Sequence, residues 1–225
     1  MGLVVQKPIV GYTRSMNLTT FLVDVDDTLY PASSGIWEKI GDRIELFIHD
    51  RLGLTWDEVP ALRRELFRTY GTTMRGLVMN YAIDPEDYLA FVHAVPVEEL
   101  IAPDPQLRAV LASFPQNKII FTNADERHAR RVLRTLQLEP LFSQVIDILQ
   151  VKPFCKPQPE AYLLALKLSG ETRPQNCLVI DDAQRNLLAA AALGFRTVLV
   201  GQEMAEPGID FTIPSLKELP RVVTE

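Results

Sequence analysis

The 225-residue chain has few cysteines and no long apolar run. Its two cysteines, Cys155 and Cys177, lack the spacing of a disulfide framework, which favours a reducing compartment. No stretch is long enough to span a bilayer, and residues 1–17 lack the apolar core and cleavage pattern of a signal peptide. We therefore expect a cytoplasmic protein without a membrane partner, preceded by a short, flexible leader over residues 1–17.

The chain also lacks an excess of basic residues. Its 23 lysines and arginines are outnumbered by 29 acidic residues, which gives a net charge of −6. A general nucleic-acid binder normally carries a basic face, so we expect no nucleic-acid polymer as partner, while a local pocket for a small anion stays open. His49, His93 and His128 lack metal-ligand spacing and are expected to be structural or exposed.

The most informative stretch is residues 21–27, which read FLVDVDD. Two like charges about 4 Å apart repel by about 4 kcal/mol at an effective dielectric of about 20. Three carboxylates at the end of an apolar strand therefore require a cation or a shared proton. A calcium-binding EF-hand loop begins similarly, but Leu29 and Gly35 stand where that loop needs glycine and glutamate. The stretch indicates a polar site rather than a solvated turn.

Strand-like runs and helical patterns alternate along the rest of the chain. Strands are expected at residues 19–25, 118–122, 145–148, 177–180, 197–200 and, more weakly, 211–213. Helix signals between them are Asp125 as an N-cap, Pro159 as a first helical residue, Gly194 as a terminator, and a capping box of Ser215 with Glu218. This order predicts an α/β fold, a Rossmann-like parallel sheet with helices on both faces.

The first connection is too long for a simple crossover. Roughly ninety residues separate the first two strands, whereas a crossover needs only about a dozen. Apolar residues recur at helical spacing over 36–48. Further helix starts are marked by Thr55 with Glu58, Asp84-Pro85 and Asp104-Pro105. We predict an inserted all-helical module, suited to closing over a small substrate and excluding water.

Polar side chains also follow the later strands. In open parallel sheets, ligands bind at the carboxyl ends of the strands. The groups at these ends are a hydroxyl and an amide before a helix N-terminus (Thr122, Asn123), a lysine before a proline-rich helix start (Lys156), and a carboxylate pair followed by an amide (Asp181, Asp182, Asn186). Each signal is weak alone, because helix caps and solvated lysines are common. Together they indicate a site that binds an anion and a cation.

Four motifs thus follow one another: Asp24-x-Asp26-x-Thr28, Thr122-Asn123, Lys156-Pro157 and Asp181-Asp182. In this order they resemble the haloacid dehalogenase-like (HAD) phosphohydrolases over residues 19–201. Residues 70–77 (YGTTMRGL), with 84–93 after them, look like the pyrimidine 5′-nucleotidase subfamily of plants, fungi and bacteria. The resemblance implies a HAD-like catalytic core of residues 18–31 and 104–225, and a helical cap domain of residues 32–103.

The resemblance also implies a mechanism, the hydrolysis of a phosphomonoester through an aspartyl-phosphate. Asp24 matches the nucleophile, and Asp26 matches the acid and base, an aspartate that goes with phosphate esters rather than dehalogenation. Mg²⁺ suits an acidic cluster without histidine or cysteine partners. The implied metal ligands are the carboxylates of Asp24 and Asp182 and the backbone carbonyl of Asp26, supported by Asp181 and Asn186. The implied phosphate-binding groups are Lys156, which also assists catalysis, Thr122 and the N–H of Asn123.

The expected partner is a small phosphorylated metabolite. A nucleoside 5′-monophosphate comes first, and a sugar phosphate or a phosphorylated vitamin precursor is the alternative. A receiver-like phospho-acceptor module ranks last, because it has no inserted helical domain. By resemblance, residues 70–75 face the active site, where Arg75 contacts a second anion or a base carbonyl. In the alternative interpretation of this stretch, Thr72 only caps a helix and the Arg75 side chain is solvated. Tyr30 is either a core-rim aromatic or a wall of the pocket.

Overall fold

Six parallel strands form one sheet in the computed structural model, which describes residues 17–204 and 206–223. The strands are β1 (Thr20–Val23), β2 (Asn117–Phe121), β3 (Gln144–Ile146), β4 (Cys177–Asp181), β5 (Arg196–Val200) and β6 (Phe211–Ile213). Their spatial order is β3-β2-β1-β4-β5-β6, so β1 lies between β2 and β4. The predicted parallel α/β sheet is confirmed, including its weak sixth strand.

Helices occupy the segments between the strands. The described ranges contain α1 (Ile36–Leu52), α2 (Val59–Tyr70), α3 (Thr73–Tyr81), α4 (Pro85–Val92), α5 (Val97–Leu100), α6 (Pro105–Ser113), α7 (Glu126–Thr135), α8 (Pro159–Leu168) and α9 (Gln184–Ala192). Helices α1 to α5, here called the inserted helices, all lie between β1 and α6. The residue boundaries of core and cap domain stay a prediction, and residues 1–16 of the predicted leader lie outside the described ranges. No helix in those ranges is both long and apolar enough to cross a membrane.

Predicted aspartate caps form, whereas the two capping boxes do not form as predicted. Asp84, Asp104 and Asp125 each accept backbone N–H groups at the start of their helices. The Ser215 side chain makes no capping bond, and a 3₁₀ helix (Leu216–Arg221) follows it. Pro220 within that segment lacks an N–H and cannot continue an α-helix. Glu58 accepts the N–H and hydroxyl of Thr55, but the helix begins only at Val59.

The sheet is buried on both faces. Alternate residues of β1 point to opposite sides, so Phe21 and Val23 join one apolar cluster and Leu22 joins another. The first cluster continues into the inserted helices and α7, and the second is covered by α8 and α9. Packing on both sides fixes the strand ends, which places the segments that follow them at one edge of the sheet.

Candidate active site

The turn after β1 carries the three neighbouring aspartates. Asp24 extends the pairing of β1 with β4, because its N–H donates to the carbonyl oxygen of Ile180 at 2.9 Å. Asp27 adopts the left-handed region with a φ of 56°, which aspartate tolerates better than most residues. The turn brings Asp24, Asp26 and Asp27 to one cavity at the carboxyl edge of the sheet.

Lys156 lies between two of the carboxylates. Its Nζ is 3.0 Å from Asp24 Oδ1 and 2.6 Å from Asp181 Oδ2, and it also donates to the carbonyl oxygen of Phe121 at 3.0 Å. The lysine is 1% exposed. Burial alone would lower the pKa of Lys156, but the carboxylates of Asp181 and Asp24 outweigh it and the pKa is raised. The ammonium therefore remains charged beside the predicted nucleophile.

Asn123 holds the backbone of Lys156 in place. Its Nδ2 donates to the carbonyl oxygen of Lys156, and its Oδ1 accepts the N–H of Lys156, both at 2.9 Å. No sequence pattern predicted these two side-chain bonds, since the resemblance assigned only the backbone N–H of Asn123 to phosphate binding. Thr122 accepts the N–H of Ala124 at 3.0 Å, which leaves its hydroxyl hydrogen available for a ligand. Both Thr122 and Asn123 line the cavity.

The acidic cluster fits a divalent cation. Carboxylate oxygens of Asp24, Asp181 and Asp182 all lie within 4.8 Å of one another. Burial, followed by the charge of Asp181, raises the pKa of Asp182 to about 7, which a bound cation would reverse. Asp181 already accepts bonds from Lys156, Asn186 and the N–H of Ala183, whereas Asp24 pairs, within the described ranges, only through Oδ1 with Lys156, so Asp24 and Asp182 have more oxygens that could hold a cation. A set of oxygen donors suits a hard cation such as Mg²⁺.

Asp26 is held by two side chains from the core. The Tyr30 hydroxyl donates to Asp26 Oδ1, and His128 Nε2 lies 2.7 Å from the same oxygen. Burial would raise the pKa of Asp26, but His128 and Tyr30 outweigh it and lower the pKa to about 2. Tyr30 is 4% exposed, which makes it a core-rim aromatic bonded to the site. His128 was expected to be structural or exposed; its only sequence signal was its place in the helical turn after Thr122-Asn123.

The inserted helices supply the other wall of the cavity, whose volume is about 480 Å³. This wall is mostly apolar and includes Trp37, Ile40, Ile44, Phe67, Met74, Tyr88, Leu89 and Val92. Three arginines also line the cavity: Arg63, Arg64 and Arg185. Arg63 is paired with Glu45 at 2.8 Å, whereas Arg64 has no ion-pair partner in the described part of the chain. Sequence reasoning identified none of these arginines.

Residues 70–75 contribute to the cavity only in part. Thr72 and the two residues after it line it, and the Thr72 hydroxyl caps α3 by accepting the N–H of Arg75 at 3.1 Å. The Arg75 guanidinium instead donates to the carbonyl oxygens of Pro153 and Tyr70, at 2.8 and 3.3 Å. Arg75 does not line the cavity, and Thr72 caps a helix as the alternative prediction had it. Its side chain joins the inserted helices to the loop before Lys156.

Comparison with known proteins identifies the class. Residues 18–194 match the haloacid dehalogenase-like hydrolases. The match covers most of the chain and includes Asp24, Thr122, Lys156 and Asp182. The chain therefore belongs to this hydrolase family.

Individual relatives agree with this assignment. Phosphate metabolism protein 8 of Saccharomyces cerevisiae is 28% identical over 193 residues. The match covers 80% of this chain but only 60% of the yeast protein, so the chain spans about 60% of that relative's length. Hexitol phosphatase A of Escherichia coli is 34% identical over 67 residues, 28% of this chain and 31% of that protein. The solved HAD hydrolase YfnB of Bacillus subtilis, bound to magnesium, shares the fold with a TM-score of 0.61 and 19% identity, covering 91% of this chain and 98% of its own.

Proposed function

We propose that the protein is a Mg²⁺-dependent phosphomonoester hydrolase of the cytoplasm that acts on a nucleoside 5′-monophosphate through an aspartyl-phosphate. The observation that carries the proposal is the position of Asp24. Its carboxylate lies 3.0 Å from a buried lysine and within 4.8 Å of two further carboxylates, at the floor of a cavity with an apolar wall. The phosphatase name of the bacterial relative is consistent with this chemistry.

Two steps account for the reaction. Asp24 attacks phosphorus, the ester bond breaks, and the leaving oxygen takes a proton from Asp26. Water then attacks the aspartyl-phosphate while Asp26 removes its proton, and release of phosphate regenerates Asp24. The carboxylate form of Asp26 suits the second step, and like-charge repulsion from an arriving phosphate raises its pKa toward the acid form needed first. The Lys156 charge, the Thr122 hydroxyl and the Asn123 N–H would stabilise the transferring group.

A divalent cation completes this proposal. The carboxylates of Asp24 and Asp182 and the backbone carbonyl of Asp26 would hold it, and it would supply positive charge beside the phosphoryl oxygens. Asp181 acts indirectly, because its oxygens are occupied by Lys156 and Asn186. Asp181 therefore orients the lysine rather than binding the metal.

Chelation is expected to abolish turnover without unfolding the protein. Mg²⁺ should also raise the melting temperature, because a ligand at about 100 times its Kd stabilises the native state by about 2.7 kcal/mol. The measurements are phosphate release and thermal melting after EDTA treatment, before and after Mg²⁺ is restored. Asp182→Asn is the matched variant and should lose most of the Mg²⁺-dependent shift. Full turnover by EDTA-treated protein would contradict the metal requirement.

The apolar wall supports a nucleotide over a polyol phosphate. Trp37 and Phe67, which are 45% and 41% exposed, offer aromatic surface for a base, which stacks on aromatic side chains with about 1–3 kcal/mol per base. Arg64, without an ion-pair partner in the described residues, could contact a base carbonyl or a second anion. A hexitol phosphate would leave this wall without apolar contacts. The volume of about 480 Å³ falls in the range of small-molecule sites.

A substrate panel tests this preference. Phosphate release is measured on nucleoside monophosphates, sugar and hexitol phosphates, and vitamin phosphates, and kcat/KM should be highest for a nucleotide. Phe67→Ala should lower kcat/KM for that nucleotide by about 10-fold, in line with the loss of one stacking contact. Tyr81→Ala is the control, an exposed aromatic of the inserted helices outside the cavity. A preference for hexitol phosphates would overturn the substrate but keep the phosphatase.

A further inference from the structure

Two histidines stack at the junction between the inserted helices and the core. His93 follows the last residue of α4, and His128 lies in the first turn of α7. Their ring centroids are 4.4 Å apart with an angle of 19° between the planes. The His128 side chain is 0% exposed and the His93 side chain 10% exposed. One imidazole from each part of the molecule therefore packs face to face in the interior.

Each ring is tied to a different carboxylate. His128 Nε2 lies 2.7 Å from Asp26 Oδ1, and His93 Nδ1 lies 3.0 Å from Asp125 Oδ1. Asp125 also accepts the N–H of His128 at 3.0 Å, so it fixes both the ring that covers His128 and the backbone that carries it. Hydrogen bonds and ring stacking therefore connect His93, Asp125 and His128 to Asp26 in one continuous network.

The two side-chain hydrogen bonds to Asp26 reach the same one of its two carboxylate oxygens. Tyr30 and His128 both contact Oδ1, and no side chain in the described ranges forms a hydrogen bond to Oδ2. This arrangement fixes the carboxyl plane and leaves one oxygen to exchange a proton with the substrate. His128 Nδ1 is buried without a partner among the described residues, an arrangement that costs stability. The Nε2 bond to Asp26 is therefore the polar side-chain contact that a histidine provides at this position.

We propose that His128 is a positioning residue that orients Asp26 for proton transfer, and that His93 holds the His128 ring from the inserted helices. The inference rests on the proposed phosphomonoesterase activity, in which Asp26 protonates the leaving oxygen. Because His93 lies in the connection between α4 and α5, the placement of the inserted helices against the core and the orientation of Asp26 are coupled. His128 itself contacts no substrate.

The dependence of kcat on the leaving group distinguishes a positioning role of His128 from a purely structural one. An alkyl phosphate needs a proton on its leaving oxygen, whereas 4-nitrophenyl phosphate releases a stable anion without one. His128→Phe keeps the ring and the stack but removes the hydrogen bond to Asp26. It should lower kcat for an alkyl phosphate, the preferred nucleotide, by about 100-fold, because misplaced catalytic groups cost about that much. For the aryl ester, kcat should fall less than about 5-fold, and KM should change little for both.

Four further variants, one of them a control, complete the experiment. His128→Gln, whose amide nitrogen can replace Nε2 as donor, should recover most of the alkyl-ester rate. His93→Phe retains the stack but loses the bond to Asp125, and should show a smaller loss with the same leaving-group split. Asp26→Asn should show the largest split. His49→Phe is the control, because His49 stacks on Trp56 at 4.3 Å without touching the site, and both of its rates should match the unmodified protein.

The outcomes are distinct. Equal losses on both esters, or no rescue by glutamine, would overturn the positioning role of His128 while leaving the phosphatase intact. If the unmodified protein releases no phosphate from any ester, the proposed function itself fails. Thermal melting accompanies each variant. If His128→Phe does not fold, His93→Phe carries the test, and the absence of a leaving-group split in His93→Phe would overturn the inference.

Discussion

Replacement of Asp24 by asparagine is expected to abolish phosphate release and to leave the fold intact. The amide has the same shape but is not a nucleophile at phosphorus, and loss of a catalytic nucleophile can cost about 10⁶-fold in kcat. The structure also predicts the effect on stability. Burial, opposed by Lys156 but reinforced by Asp181 and Asp182, raises the pKa of Asp24, so its charged form is unfavourable without a cation. A neutral side chain should therefore melt at the same or a higher temperature in EDTA.

Asp27→Asn is the matched control for Asp24→Asn. Both aspartates line the cavity, and asparagine tolerates the left-handed conformation with a φ of 56°. We expect phosphate release by Asp27→Asn to stay within about 3-fold of the unmodified protein, since asparagine conserves the shape of the turn. Phosphate release, thermal melting and mass spectrometry of protein quenched during turnover would be compared. Turnover by Asp24→Asn at the rate of the control, or a phosphoryl adduct still present in it, would exclude Asp24 as nucleophile.

The position of the site could be predicted because it depends on strand ends. In a parallel sheet every strand presents its carboxyl end at the same edge, so Asp24 after β1 and Asp182 after β4 had to lie on one side of the molecule. Their direct proximity also needs β4 to be the neighbour of β1. That strand order depends on contacts between segments far apart in the chain, which no local pattern in the sequence records.

Residues that act across elements could not be predicted. His128 has an ordinary position in the first turn of α7, and only the approach of the β1 turn brings it to Asp26. Arg185 likewise sits in α9, yet its guanidinium stacks 3.8 Å over Phe67 of α2 and donates to the carbonyl oxygen of Gly71. The helical spacing over residues 36–48 predicted a helix there, but not that Ile40 and Ile44 of that helix line a cavity. Such contacts depend on how two segments that are distant in the sequence pack against each other.

Lys156→Met is expected to have the largest effect on stability. Methionine fills a similar volume without charge, and it leaves the carboxylates of Asp24 and Asp181 buried without their shared partner. Removal of one member of a buried ion pair costs about 3–5 kcal/mol. Turnover should fall as well, because the ammonium no longer stabilises charge on the transferring phosphoryl group. Phosphate release and urea unfolding, followed by circular dichroism, measure the two losses.

The pH dependence of this loss identifies its cause. Burial already raises the pKa of Asp24 above the unfolded value of about 3.9, and loss of the lysine, which opposes this shift, raises the pKa further. The destabilisation is therefore greatest at high pH and is relieved as pH falls through the raised pKa. The free energy of unfolding of Lys156→Met should therefore approach that of the unmodified protein at about pH 5 and diverge at about pH 8. Lys118→Met is the control, since Lys118 is also buried but donates only to the carbonyl oxygens of Phe114 and Gln116. Lys118→Met should lose less free energy of unfolding than Lys156→Met, and that loss should not change with pH. If the loss of Lys156→Met were also independent of pH, the partners of Lys156 would not be charged carboxylates.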